Sequence, residues 1–500
     1  MARVSQGSAK KGSKKRDSEI RPGMKNYYSL ALLVILVAVS GVIGVTVVKK
    51  PASVSGSSSM RLTVYNSGFA LVSQHQQVHL YKGANTVLYD RAPSMVEPDS
   101  VSVSLSDRDL KLREQSFLNS PVSKGYLLSR FVGEKITGYQ TVGNERLLVE
   151  GTLLSHSGGE VVLKKEDGSI LIVSLSEFEL AKPSFEIFPR PTLKWLIEAP
   201  SEDDYSLDVS YLTGGLSWEA SYSGILDDDE ATMDISSWVS LENNAGADFN
   251  NARITVVAGS VNRQSRSTQY PVLFAKRDVA AMAEEAAPQP AYSQEALFEY
   301  YSYTFEEPTD LPDGSVKQLS FLSAEDVPVE KRFVFDSSSP VVLRSGSQDS
   351  FSPVSVSFVF ENTEDSNLGF ALPSGSFKLY KRSSDGSLEF IGEDSIRHTS
   401  LKEEVSLSTG SSFDVLAKKT QTNYERLGSS TYEYSFKVEL RNNKDSDVVV
   451  YVVEHPYGDW KITSESMPHR KVSQNKVEWA VPVKANSEET LEYTIRYEYG

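Results

Sequence analysis

The sequence predicts a mainly β protein: an N-terminal transmembrane helix, a β-sandwich with an inserted small SH3-like barrel, and a C-terminal immunoglobulin-like β-sandwich. Three observations lead there. Apolar and polar residues alternate at period two beyond residue 60, while helical periodicity is scarce. Pro, Gly, Asn and Asp clusters break that alternation about every 8–12 residues, the rhythm of sandwiches and small barrels. Near the amino end, one long apolar run carries no charge.

The run extends from Asn26 to Val48, with the core LALLVILVAVSGVIGVTVV from Leu30. As a helix it would span about 34 Å, enough to cross a hydrocarbon layer of roughly 30 Å. Tyr27 and Tyr28 mark one interface and Lys49 and Lys50 the other. Residues 1–25 hold eight Lys or Arg, a bias that places the amino terminus in the cytoplasm and the rest of the chain outside. A cleaved secretion signal is the alternative, but the basic region is long and no A-x-A site follows. Membrane lipid, met through residues 26–48, is the first expected partner.

Charge supports that division. The whole chain carries −16, with 51 basic and 67 acidic residues. Residues 1–50 hold 10 of the basic and 2 of the acidic ones, leaving 41 and 65 in residues 51–500, a net −24. Such an acidic exterior repels phosphates and excludes a nucleic-acid partner. At 500 residues, 39% apolar and 24% charged, the chain can bury several cores. The absence of cysteine excludes disulfide scaffolds, thiolate metal sites and thiol nucleophiles.

The expected organisation is a basic tail at 1–25, the helix at 26–48 and a flexible tether at 49–61. The first part of a β-sandwich follows at 62–120. Short, Gly-punctuated strands at 121–182 make the small barrel, and 183–274 completes the sandwich. Residues 275–310 shift to Ala, Glu and Pro and form a partly helical excursion, with Ser293 capping a short helix from Gln294 to Tyr301. The C-terminal sandwich takes 311–500. No repeat of fixed period is visible.

One ribbon is specified in detail. YSLDVSYLT (205–213) and LSWEASYSG (216–224) flank Gly214-Gly215, a pair suited to a two-residue hairpin turn. In that register Tyr211 faces Trp218, Val209 faces Ala220 and Leu207 faces Tyr222, all on one side.

Several strings together resemble one family: VYNSGFALVSQ, GGLSWEASYSGIL, WVSLENNAGADFNNARITVVAGSVNR, VPVEKRFVFD and VVEHPYGDWKITSES. The chain is similar to the domain-of-unknown-function family four-one-three-nine, related to mucoidy inhibitor A-like proteins, over nearly all of residues 62–500. The resemblance implies an exported, mostly β protein of envelope type and carries over no catalytic residues.

Two constellations carry candidate chemistry. Glu202, Asp203 and Asp204 precede the expected hairpin, and Asp227, Asp228, Asp229 and Glu230 follow it. The hairpin register would bring the seven carboxylates to one end, where a hard cation such as calcium would find oxygen ligands. The bland reading is two solvated loop ends. GEDSIRHTS and VEHPYGDW supply His398, His455 and Asp459, with Ser395 and Ser400 nearby in sequence. A histidine beside carboxylates can act as general base, although no nucleophile-elbow G-x-S-x-G or HExxH pattern occurs, and turns explain both strings. No cofactor motif is present.

The function expected is therefore a membrane-anchored extracytoplasmic envelope protein of structural or interaction type, with other envelope proteins or glycans as partners and no assigned reaction. The alternatives are a surface hydrolase acting on polysaccharide or peptide, and a calcium-dependent glycan-binding module.

Overall fold

A computed structural model describes residues 52–53, 59–119, 122–142, 145–175, 177–183, 185–259, 261–262, 292–297, 300–336, 350–383 and 385–498. The chain divides into two compact units, 1–51 and 52–500, and every described residue belongs to the second. The expected basic tail and membrane helix lie outside the described residues. Among the described residues no helix is long and apolar enough to cross a membrane.

The protein is mainly β, built from antiparallel and mixed sheets. The period-two pattern acts as expected: in Asp203–Gly214 the side chains of Tyr205, Leu207, Val209 and Tyr211 are buried while Asp204 and Asp208 are exposed. One eight-stranded sheet includes, in order, Phe249–Ala258, Met60–Tyr65, Phe69–Leu80, Asp203–Gly214 and Ser102–Leu105. A five-stranded sheet orders Ser315–Pro328, Thr232–Asn243, Leu216–Leu226, Gly375–Arg382 and Leu388–Ile396. Leu62, Tyr211, Trp218 and Phe377, drawn from both sheets, belong to one core.

The expected hairpin does not form. Asp203–Gly214 pairs with Phe69–Leu80 and Ser102–Leu105, whereas Leu216–Leu226 pairs with Thr232–Asn243 and, in parallel, with Gly375–Arg382. The two strands bury the faces assigned to them, but they do so in different sheets. Gly215 (φ +80°) makes the crossing, and a Cβ there would stand 2.7 Å from the Asn244 carbonyl oxygen. Two ribbons with matching apolar faces can satisfy them side by side or face to face. Alternation alone does not distinguish those arrangements.

Three other expectations change. The described residues of the expected helix 294–301 are strand: Tyr292–Leu297 and Tyr300–Phe305 pair antiparallel and join the large sheet through Thr255–Ala258. The Tyr-rich sequence favours strand, and Tyr292 stacks on Phe321 with ring centroids 4.7 Å apart. The tether is partly ordered, because Ala52–Ser53 pairs in parallel with Val87–Leu88. The break expected at residue 311 is bridged by Thr232–Asn243 pairing with Ser315–Pro328, and Phe321, Phe358 and Leu407 join the first core.

Residues 135–180 form their own five-stranded antiparallel sheet. Ile136, Leu153, Leu163 and Val173 fill a separate core, joined by Leu128 from the helix Lys124–Arg130. The Ser123 hydroxyl caps that helix, accepting from the Tyr126 N–H at 3.2 Å. Near the end of the chain, a nine-stranded sheet encloses a third core including Trp479, Val450 and Tyr493.

Three fully buried asparagines, Asn243, Asn362 and Asn442, mark strand ends with related sequences: LENN, FENT and LRNN. Each turns its side-chain amide onto backbone carbonyls of the following turn and of a segment distant in sequence. Asn442 donates to the carbonyls of Ser446, Val483 and Lys484, at 2.9, 3.3 and 3.0 Å, and accepts from the Lys444 N–H at 3.0 Å. Asn243 serves Ala247 and Leu311 in the same way, and Asn362 serves Phe370 and Ser400. The spacing between these corners is irregular, which hides them from a search for fixed periods.

Candidate binding cleft

On the outward face of the eight-stranded sheet, neighbouring strands set polar residues in rows. Register places Arg61 beside Ser73, Ser73 beside Ser210 and Ser210 beside Ser102. The next row is His75, Asp208 and Ser104. These residues line an open cleft of about 480 Å³, together with Ser59, Gln74 and Val209. That volume falls within the range of small-ligand sites.

Two histidine–aspartate pairs run along this face. His75 Nδ1 lies 2.8 Å from Asp208 Oδ1, and His79 Nδ1 lies 2.8 Å from Asp204 Oδ1. Four-residue spacing on each of two antiparallel strands brings both pairs together. Hydrogen bonding to Asp204, then its charge and those of Glu202, hold the His79 imidazole above its ordinary range. His75 Nε2 faces the Gln77 amide nitrogen at 3.3 Å, and that same nitrogen donates to Ser206 Oγ at 2.7 Å. With the His75 proton on Nδ1 toward Asp208, Nε2 accepts from Gln77. The amide thus occupies the position a nucleophilic hydroxyl takes in a catalytic triad.

Beneath the cleft the inward face is polar as well. Tyr89 Oη donates to Gln74 Oε1 at 2.8 Å, as does Gln76 Nε2 at 2.8 Å. Burial raises the Tyr89 and Tyr211 phenols, so both stay neutral at ordinary pH, and Tyr211 Oη accepts from Gln74 Nε2 at 3.4 Å.

The expected acidic cluster has lost the register that joined it. Glu202 and Asp204 face His79 at 3.6 and 2.8 Å, and Asp203 accepts from the Asp204 N–H. In the other sheet, Asp227 accepts from the N–H groups of Ala231 and Thr232. Glu230 bridges Lys331 and Lys381 at 2.5 and 2.7 Å, and the Lys381 ammonium also donates to the Asp228 carbonyl. Asp229 precedes this residue in the turn. Among the described residues no group of three or more His, Asp or Glu is arranged to hold a metal ion.

The second constellation is divided too. His398 Nδ1 accepts from the Ser374 N–H at 3.1 Å, and burial lowers its pKa. His455 Nε2 instead meets both Asp336 oxygens, at 3.0 and 3.1 Å. Asp459 opens a strand opposite Glu498. Ser395 pairs with Ser376 inside the five-stranded sheet, and Ser400 bonds through its backbone N–H to Glu403. Sequence reasoning missed the cleft. The available signal was SQHQQVHL, whose outward positions put His75 and His79 at the same spacing as Asp208 and Asp204.

The family model for a domain of unknown function, DUF4139, matches residues 207–500. The chain belongs to the DUF4139 family. Asp208 and Ser210 lie inside the DUF4139 match, whereas Arg61, Ser73 and His75 precede it. The cleft is therefore assembled across the start of the matched region. No curated protein matches the chain. Among solved structures, a protein described as "a putative protease" from Parabacteroides distasonis aligns over 90% of this chain and 93% of its own, at 9% identity and a TM-score of 0.11. A superposition that poor carries no inference about fold or chemistry.

Proposed function

We propose that this DUF4139 protein is a single-pass, membrane-anchored protein of the cell envelope that works by binding through its extracytoplasmic sheets. The observation that carries binding over hydrolysis is the Gln77 amide against His75 Nε2. A general base needs its nitrogen within reach of the proton it removes, and here that nitrogen is held by an amide. The uncharged run 26–48, the basic residues before it and the acidic remainder support the location. In this reading strands from residues 62–119 and 185–259, completed by Ser315–Pro328, Gly375–Arg382 and Leu388–Ile396, make one sandwich around a small SH3-like barrel at 121–182. The immunoglobulin-like sandwich gathers around the Phe333–Tyr497 core.

The partner is a protein or glycan of the envelope, met on a rigid sheet face. Protease added to intact cells tests the location: the region beyond residue 50 is digested while an amino-terminal tag survives. Protection of the carboxyl end until the cells are lysed overturns it.

A further inference from the structure

We propose that the cleft takes an acidic saccharide, its anionic group held by Arg61 and Arg253 and its hydroxyls laid across the serine rows. This deepens the binding reading above and rests on it.

The argument begins with the two arginines. Arg253 pairs in parallel register with Arg61, so the row that crosses the cleft starts with two neighbouring arginines, Arg61 in the lining and Arg253 on the strand beside it. Both residues are exposed. Among the described residues neither has a carboxylate partner, although residues 51–500 carry a net −24. Other exposed arginines of the sheets do meet an acid on the neighbouring strand: Arg113 meets Glu198 at 2.6 Å and Arg441 meets Glu488 at 2.7 Å. Two like charges side by side in an acidic protein repel each other until an anion joins them, and a guanidinium fork suits a carboxylate.

The remaining lining gives the rest of the ligand. Ser73, Ser102, Ser104 and Ser210 border the same space, and each hydroxyl can donate and accept. Asp208 accepts only, and it stands between His75 and Ser104 in its row. Alternating donors and acceptors over a flat, hydroxyl-lined face fit the ring hydroxyls of a sugar. Val209, the one apolar residue of that lining, turns its side chain into the core, so an apolar ligand would find no apolar side chain there. An acidic peptide would offer carboxylates to Arg61 but few hydroxyls to the serines. The anion end and the hydroxyl rows lie along one line, so charge fixes the direction in which a saccharide lies.

The test is calorimetric titration of the full-length protein in detergent with trigalacturonate, its neutral methyl ester and inorganic phosphate. Trigalacturonate is expected to bind at least about tenfold more tightly than the ester, and Arg61→Gln to remove that preference. Arg253→Gln should weaken trigalacturonate with little effect on the ester. If Arg61→Gln fails to fold, a Ser104→Ala/Ser210→Ala variant serves, weakening both sugars alike. Equal affinity for acid and ester, no binding of either, or displacement of trigalacturonate by equimolar phosphate overturns the proposal. Protease accessibility on intact cells reports separately on the envelope reading, which survives a failed titration.

Discussion

Asp208 holds His75 through Nδ1 at 2.8 Å while the opposite ring nitrogen rests 3.3 Å from the Gln77 amide. Carboxylate and imidazole have the orientation of a hydrolytic dyad, but the third partner is an amide donor. An amide cannot be made a nucleophile by losing a proton to imidazole. A fluorophosphonate probe should therefore label the wild type and His75→Ala equally, at background. Labelling that disappears in His75→Ala would mean that a serine does reach Nε2 and that the protein is a hydrolase.

His79 titrates differently from a free histidine. Hydrogen bonding to Asp204, followed by charge from Asp204 and Glu202, raises its pKa above 6.5. The stabilisation gained from the protonated ring is complete below the unfolded value and lost as pH rises through the folded one. In an NMR titration the His79 ring should change above the ordinary histidine midpoint. Asp204→Asn should bring the midpoint down, and an unmoved midpoint would show that the pair is not formed in solution.

What the sequence made legible was the direction each side chain faces. Tyr211, Trp218 and Tyr222 are buried as alternation requires, and Val477, Trp479 and Val481 likewise point inward. Strand partners were not legible. Tyr211 and Trp218 lie in different sheets because a glycine pair serves a crossing as readily as a hairpin turn, and the choice rests on contacts with distant segments such as Gly375–Arg382. The candidate sites inherited that error. Joining Glu202 to Asp227 depended on a register, whereas the cleft depends on which strand lies beside Phe69–Leu80.

The absence of native cysteine makes strand pairing directly testable. Ser223 pairs with Ser236 across the five-stranded sheet, whereas a hairpin would set Ser223 opposite Ser206. Paired residues in neighbouring strands approach closely enough for a disulfide. Ser223→Cys/Ser236→Cys should crosslink under mild oxidation, and Ser206→Cys/Ser223→Cys should not. The reverse result would restore the hairpin.

The asparagine corners predict large effects from small changes. Asn442→Ala removes an amide that serves three carbonyls, inside a site with no exposure. Buried carbonyls left without donors should lower stability by about 2–4 kcal/mol, read from urea unfolding. Asn443→Ala, one residue further along, is the control. Similar losses at both positions would show that the turn tolerates neither change and that the buried amide has no special part.

Glu230 gives the clearest pH dependence, because two opposing effects act on one carboxylate. Burial favours its neutral form, but hydrogen bonds from Lys331 and Lys381, reinforced by their charges, outweigh it and lower the pKa below 4.5. A lowered folded pKa means that the ionised pair stabilises the protein above the unfolded value and ceases to do so as pH falls through the folded value. The three residues also join strands that sequence places far apart: Lys331 lies in Glu330–Asp336 and Lys381 in Gly375–Arg382. Glu230→Gln keeps the shape and removes the charge, leaving two ammonium groups to repel across a half-buried gap. The expected cost is about 1–2 kcal/mol at neutral pH, shrinking toward zero in acid as the wild-type carboxylate protonates. Urea unfolding at several pH values measures the difference. A gap between wild type and variant that stays constant through pH 3 would show that Glu230 acts through packing and not through its charge.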